Sequence, residues 1–374
     1  MTLSASERAR YQRHLTLAEI GAAGQEKLKA ARVLVVGAGG LGSPAALYLA
    51  AAGCGTVGLV DCDRVELSNL QRQVLFGSSD IARSKAEAGR ERLASLNPEI
   101  RVVAHALELK AANVRAVFRD YDLVLDGTDR LATRYLVNDA CVILGLPLVS
   151  AAIHRFEGQV MTYVPGRGPC YRCVFPQAPD GVVPNCAQAG VLGVLPGVLG
   201  TLQATEAIKL ITAVGEPLLG RLLTYDALEM RFHEFSVARR PDCAVCGNAP
   251  TITEPRDPAP LPTVAGTVRR ITAGALNELL REARAPAPHL VDVREVHEFS
   301  AGHLEGAVNI PLGELPRRLA EIAPDDAPVF ICRSGGRSLA ACELALRAGI
   351  AAPANLEGGL LAWAREIDPA LPVA

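Results

Sequence analysis

The feature that most limits the fold is a glycine turn, Gly37-Ala-Gly-Gly-Leu-Gly42, placed directly after four apolar residues, Val33-Leu-Val-Val36. A short apolar run of this kind reads as a buried strand. The glycines after it let backbone N–H groups approach a phosphate at the start of a helix. Strand, glycine turn and helix together make one unit of a Rossmann-like α/β sheet. Asp61 closes the next apolar run, Thr56-Val-Gly-Leu-Val60, about where such sheets carry an acid for a ribose. Alone, the G-x-G-x-x-G spacing is weak and would suggest a dinucleotide enzyme.

The charges that follow decide for ATP. A dinucleotide presents a pyrophosphate that a helix N-terminus and backbone amides hold largely unaided. A triphosphate brings roughly four negative charges and asks for cationic side chains and a carboxylate to hold magnesium. Arg72 lies on the segment after Asp61, Lys85 at the start of the next helical stretch, and Asp129 in Asp126-Gly-Thr-Asp129, just past the strand 123–125. Each alone reads as a solvated surface charge. In this order behind a glycine turn they read as an ATP and Mg2+ site.

The length of 374 residues predicts two domains. A net charge of −2 lacks the basic footprint of a nucleic-acid binder. No N-terminal apolar segment resembles a signal peptide. The run 191–202 is too short and too broken by Gly and Pro to span a membrane, so no membrane role and a cytoplasmic site are expected. Pro250, Pro255, Pro258, Pro260 and Pro262 predict an extended tether over 248–263. It divides an α/β domain at 1–247 from a smaller α/β domain at 264–374, where 290–294 and 329–332 read as buried strands.

Ten cysteines in this setting suggest metal and thiol chemistry rather than disulfides. Cys170-Tyr-Arg-Cys173 and Cys243-Ala-Val-Cys246 are two C-x-x-C pairs with turn-forming glycines beside them, the pattern of a closed structural zinc site. That zinc would fasten the end of the first domain to its middle. Cys54, Cys62 and Cys141 lie in apolar runs or beside strands and read as structural. In the second domain, Cys332-Arg-Ser-Gly-Gly-Arg-Ser338 follows a strand and precedes the helical stretch 339–346. A sulfur at a helix N-terminus beside Arg333 and Arg337 is favoured as thiolate or persulfide. A cysteine phosphatase would place its arginine one residue later, where Ser338 stands, so the loop suits a sulfane sulfur better than a phosphoryl group. Cys342, on the helix, reads as inert.

Residues 264–374 resemble a rhodanese domain through Leu290-Val-Asp-Val-Arg-Glu295, Gly302-His-Leu-Glu-Gly-Ala-Val-Asn-Ile-Pro311, the Cys332 loop and Leu356-Glu-Gly-Gly359 with Trp363. Residues 1–247 resemble the MoeB/ThiF branch of the ubiquitin-activating superfamily, adenylyltransferases of sulfur-carrier proteins. The matching segments are Arg10-Tyr-Gln-Arg-His14, the glycine turn, Ser68-Asn-Leu-Gln-Arg-Gln73, the cysteine pairs and Ala189-Gly-Val-Leu-Gly193. The domain order is similar to the fused adenylyltransferase/sulfurtransferases of molybdopterin synthase.

The resemblance implies that Gly40, Asp61, Ser68, Asn69, Leu70, Gln71, Arg72, Lys85 and Asp129 bind ATP and its magnesium. Arg13 would reach the partner's triphosphate across a homodimer interface. Arg130 stands where the family has Asn, and is included with the set as an extra cation that would either touch the nucleotide or face solvent. The implied reaction adenylates the C-terminal glycine of a small ubiquitin-like carrier ending in Gly-Gly. Sulfur from a persulfide on Cys332, loaded by a donor such as a cysteine desulfurase, then displaces AMP. Cys186 matches the family's mobile-loop cysteine, which would either take the acyl group as a thioester or resolve an acyl-disulfide. His14, His154 and His303 read as structural, and Asp292 as orienting the rhodanese core. The carrier could instead serve thiamine synthesis, tRNA thiolation or cysteine synthesis with the same fold and sites. An NAD-dependent oxidoreductase or a nucleotide-binding scaffold would leave Arg72, Lys85, Asp129 and Cys332 unexplained.

Overall fold

The computed structural model describes residues 2–177, 190–257, 268–281, 288–323 and 327–373. These form two compact units.

The first unit is built on an eight-stranded sheet in the order β3-β2-β1-β4-β5-β6-β7-β8. Its strands are β1 (Arg32–Val36), β2 (Thr56–Val60), β3 (Arg101–His105), β4 (Leu123–Asp126), β5 (Leu148–His154), β6 (Glu157–Tyr163), β7 (Arg221–Asp226) and β8 (Arg231–Ser236). The first five are mutually parallel, and β6, β7 and β8 continue antiparallel. The unbroken apolar run of β1 follows from burial on both faces. Val33 and Val35 join one core with Ala45, Ala46 and Leu49 of the helix Gly42–Ala51. Leu34 and Val36 join the opposite core with Val114, Phe118, Leu136 and Val137. The alanine-rich helix Gly42–Ala51 thus packs one face closely on the sheet.

The chain lays β2 and β3 on one side of β1 and then β4 on the other, so the strand order reverses between β1 and β4, and a crevice opens at the carboxyl ends of the strands at such a point. Gly37, Asp61 and the 127–129 loop all leave strands there. Gly37 holds φ of 87°. A Cβ on Gly42 would lie 1.8 Å from the Gly37 carbonyl oxygen. The turn closes on itself too tightly for any side chain at that position.

The proline pattern assigns residues 248–257 to the tether. Residues 248–257 lie on the first unit: Thr251 and Ile252 donate to the Ala244 carbonyl, Ala111 N–H donates to Asp257 at 2.7 Å, and Arg115 pairs with Glu254. Residues 258–267 lie outside the described residues.

The second unit has a parallel five-stranded sheet in the order β11-β10-β12-β13-β9. These strands are β9 (Arg269–Ile271), β10 (Leu290–Asp292), β11 (Val308–Asn309), β12 (Val329–Ile331) and β13 (Ala354–Leu356). Val291 and Phe330 pack on one side with Ala341 and Ala345, while Leu290, Val329 and Ile331 pack on the other with Leu360 and Trp363. Cys332 follows the central strand β12 directly. Among the described residues no helix is long and apolar enough to cross a membrane.

Candidate functional site

The glycine turn and the predicted charges meet at the strand ends of the first unit. Asp61 is fixed by the backbone on both sides: its Oδ2 accepts Ala38 N–H at 2.9 Å and its Oδ1 accepts Asp63 N–H at 2.8 Å. Burial raises its pKa above the ordinary value, against the pull of Lys85. Lys85 opens the helix Lys85–Leu96 and is buried, with Nζ 3.1 Å from Asp63 Oδ2. Arg130 reaches the other oxygen of Asp63 at 3.7 Å, and Glu108 at the same distance. Asp63 therefore neutralises two cations at once.

Leu67–Asn69 is a single tight turn in which Asn69 is buried and Ser68 exposed. Ser68 donates to Glu66, Leu70 is half-buried, and the exposed Gln71 lies against Gly193, where a Cβ would meet Gln71 Oε1 at 2.2 Å. Arg72 donates to the Ser68 carbonyl at 3.1 Å, and a Cβ on Gly40 would stand 3.7 Å from Arg72 Cδ. This segment brings Arg72 alongside the glycine turn. Gln73 also belongs to the site. It is buried, its amide nitrogen faces Gly39, and its Oε1 has no partner among the described residues.

Asp129 is exposed on the loop after β4. A buried network that the sequence does not reveal holds that loop. Asp126 accepts the N–H and hydroxyl of Thr128 at 3.0 and 2.7 Å and the Ser150 hydroxyl at 3.1 Å. Arg134 pairs with Asp126 at 3.3 Å and donates to the carbonyls of Thr128 and Ala151. Gln203 donates to the carbonyls of Asp126 and Val149. These residues sit in helix and strand patterns like any others, and only their positions in space reveal them.

One described residue predicted for this site is not brought into the group. Arg13, on the helix Gln12–Thr16, is exposed with no partner among the described residues. Cys186 lies outside the described residues. Cys62 departs from the structural role expected for it: it is exposed between Asp61 and Asp63, with Sγ 3.7 Å from Asp63 Oδ1. Cys54 and Cys141 are buried, and burial pushes the Cys54 thiol up to about 12.

Cys170, Cys173, Cys243 and Cys246 present four sulfurs within 4.8 Å of one another. Cys170 and Cys243 are 3.6 Å apart, and Cys173 and Cys246 are 3.4 Å apart. Sulfurs around a zinc at about 2.3 Å stand about 3.8 Å apart, so this donor set fits a structural zinc closely. Arg240 N–H donates to Cys173 Sγ at 3.4 Å, which orients one sulfur from outside the cluster.

In the second unit Cys332 is almost fully buried at the N-terminus of the helix Gly336–Arg347. Gly335, with φ of 92°, turns its N–H onto Cys332 Sγ at 3.1 Å, and the Ser338 hydroxyl lies 3.2 Å from the sulfur. Ser338 in turn donates to Asn355 Oδ1 at 2.6 Å. Arg333 is exposed. Arg337 is not free to face the sulfur, because Glu298 holds its guanidinium in two hydrogen bonds. Asp292 and Arg294 form a fully buried ion pair that also ties down the Gly302 carbonyl, the orienting role expected of Asp292. His303 stacks on Phe299 and hydrogen-bonds its carbonyl, and Cys342 is buried in the core.

Residues 11–245 match the ThiF family and residues 274–366 the rhodanese-like domain. The chain is 45% identical over 381 residues to a Mycobacterium tuberculosis protein named "Probable adenylyltransferase/sulfurtransferase MoeZ", covering 98% of this chain and 95% of that one. It is 52% identical over 260 residues to the "Sulfur carrier protein adenylyltransferase" of Thermus thermophilus, covering 68% of this chain and 96% of that one. Among solved structures, Escherichia coli MccB with ATP aligns at a TM-score of 0.58 and 28% identity, covering 65% of this chain and 75% of that one.

Proposed function

The chain belongs to the ThiF family and carries a C-terminal rhodanese-like domain, and on that premise we propose how its residues divide the work. The protein is an adenylyltransferase and sulfurtransferase that acts on a sulfur carrier. One observation carries the assignment of its first site: the glycine turn, the fixed carboxylate of Asp61 and the cations Arg72, Lys85 and Arg130 converge at one set of strand ends.

Asp61 takes the ribose, while Gly40 and the segment Ser68, Asn69, Leu70, Gln71 and Arg72 line the nucleotide. Arg72, Lys85 and Arg130 meet the phosphates. Asp129 is the carboxylate that would hold Mg2+, which supplies charge neutralisation on the triphosphate. The carrier's C-terminal glycine carboxylate attacks the α-phosphorus, the bond to the bridging oxygen breaks and pyrophosphate leaves. Arg13 of a second copy reaches the triphosphate in a homodimer, a role its exposure permits.

In the second half, the outer sulfur of a Cys332 persulfide attacks the acyl-adenylate carbonyl and the bond to AMP breaks. Cys186 is the candidate thiol to attack the Cys332 sulfur of the resulting acyl-disulfide: a Cys186–Cys332 disulfide forms, the S–S bond to the carrier's sulfur breaks, and the thiocarboxylate leaves with the electron pair. A thioester on Cys186 is the other route. The carrier is read as that of molybdopterin synthesis, its sulfur as coming from a cysteine desulfurase or similar persulfide donor, and the compartment as cytoplasm. A carrier for thiamine, tRNA thiolation or cysteine synthesis would use the same residues.

Pyrophosphate–ATP exchange tests the first half. Wild-type protein should exchange only when a carrier with a free C-terminal glycine is present, and Asp129→Ala should abolish exchange while retaining the wild-type melting temperature. Robust exchange by that variant would overturn the metal assignment.

A further inference from the structure

The bond between Glu298 and Arg337 bears on which sulfur donor the Cys332 loop accepts. Arg337 lies in the first turn of the helix that Cys332 precedes, where a cation would be available to a small anionic donor. Its two terminal nitrogens donate to Glu298 at 2.6 and 2.7 Å, and the side chains of the pair are only 17% and 13% exposed. Glu298 is itself anchored, because its Oε2 also accepts Glu295 N–H at 2.9 Å and so caps the helix Val296–Ala301. Arg294 is likewise bound to Asp292. Of the three arginines on this loop and the strand end beside it, only Arg333 is without a carboxylate partner among the described residues.

We propose that Glu298 is a specificity-determining residue: it occupies Arg337 and so disfavours small dianionic sulfur donors such as thiosulfate, leaving Cys332 to be loaded by a persulfide on another protein. The proposal rests on Cys332 being the sulfur carrier. A guanidinium fork binds one planar or tetrahedral oxyanion edge at a time, and a carboxylate in a bidentate pair is a strong competitor for it. Releasing Arg337 would leave Glu298 half-buried and unpaired, which costs more than exchanging two exposed ions. Burial opposes ionisation of Glu298, yet the Arg337 hydrogen bonds outweigh it and hold its carboxyl below the ordinary range. The pair therefore persists at neutral pH.

A protein persulfide does not need that cation. It brings at most one charge, on the sulfur itself, and its binding energy comes from the protein surfaces around it. The Cys332 thiolate attacks the outer sulfur of the donor persulfide, the donor S–S bond breaks, and its electron pair leaves with the donor's own thiolate. Atoms and electrons balance without an oxidant. Thiosulfate would load the same sulfur with sulfite as the leaving group, and its charge has to be held throughout.

The test follows sulfur loading of Cys332 by mass spectrometry in the full-length protein, with thiosulfate alone or with a cysteine desulfurase and cysteine. Glu298→Gln keeps an oxygen for the Glu295 N–H but frees the Arg337 charge. It should raise kcat/KM for thiosulfate about tenfold, the scale of one added charge-assisted hydrogen bond, and leave loading from the protein persulfide within about twofold. Glu298→Gln combined with Arg337→Gln should return thiosulfate use to the wild-type level. An unchanged thiosulfate kcat/KM in a Glu298→Gln protein with a normal melting temperature overturns the proposal. A measurement without any substitution checks it separately: sulfate should not compete with thiosulfate in the wild type, and competition would mean that an anion site is already open. Failure of both donors to load Cys332 in the wild type overturns the sulfur-carrier reading, and the proposal with it.

Discussion

Lys85 is buried, and its charge is balanced by Asp63, whose side chain is about half exposed. Burial opposes ionisation of Asp63, but Lys85 and then Arg130 outweigh it and lower the carboxyl below its ordinary value of 3.8. The pair therefore stabilises the fold fully above that value, and the contribution is lost as pH falls through the depressed folded value. Because Asp63 is only half-buried, solvent screening limits the contribution to about 1 kcal/mol. Asp63→Asn should lower the unfolding free energy by that order at neutral pH, seen as a lower thermal midpoint, and weaken its dependence on acid. It should also tighten ATP binding, since Lys85 and Arg130 lose the carboxylate they share. Melting curves across pH and an ATP titration check both effects, and a variant unchanged in both would contradict the arrangement. Asp61 was legible because it ends an apolar run after a glycine turn. Asp63 was not, although it stands two residues away: three acids share the segment 61–66, and no spacing rule says which of them faces the cations.

Elements carry the same lesson at a larger scale. β1, the glycine turn and the helix Gly42–Ala51 are legible because one stretch of sequence contains everything that forms them. The network of Asp126, Ser150, Arg134 and Gln203 draws on two strands and two helices, and each member looks locally ordinary. The prolines predict a tether over 248–263, yet 248–257 packs on the first unit, because Thr251, Ile252, Glu254 and Asp257 find partners there that composition does not record. The cysteine cluster was legible from C-x-x-C spacing alone, since each pair needs only one turn to aim two sulfurs. It joins the short helix Tyr171–Val174 to the segment 243–246, within a core that includes Tyr163 and Val245. Structural zinc contributes its binding energy to folding. Cys243→Ser should therefore lower zinc content and thermal midpoint together, as should prolonged chelation. Elemental analysis of freshly purified protein, prepared without chelators, checks the first point. A protein free of zinc and as stable as before would contradict the site.

Over the whole molecule, two chemistries are housed in two separately cored units, and that division was legible before any coordinates because each unit carries its own glycine turn or cysteine loop. A proline-containing connection between covalently joined units raises the effective concentration of one site at the other, without requiring a fixed arrangement. The two half-reactions should therefore separate cleanly by substitution. The most direct test of the account combines the protein, ATP with Mg2+, a carrier ending in Gly-Gly and a protein persulfide donor, with free sulfide excluded because it attacks an acyl-adenylate directly. The carrier is then examined by mass spectrometry. Wild-type protein should convert it to the thiocarboxylate, Cys332→Ala should build up carrier adenylate with little thiocarboxylate, and Asp129→Ala should form neither. Thiocarboxylate produced by Cys332→Ala at the wild-type rate would contradict the account, because the sulfur would be arriving by a route that bypasses the second unit.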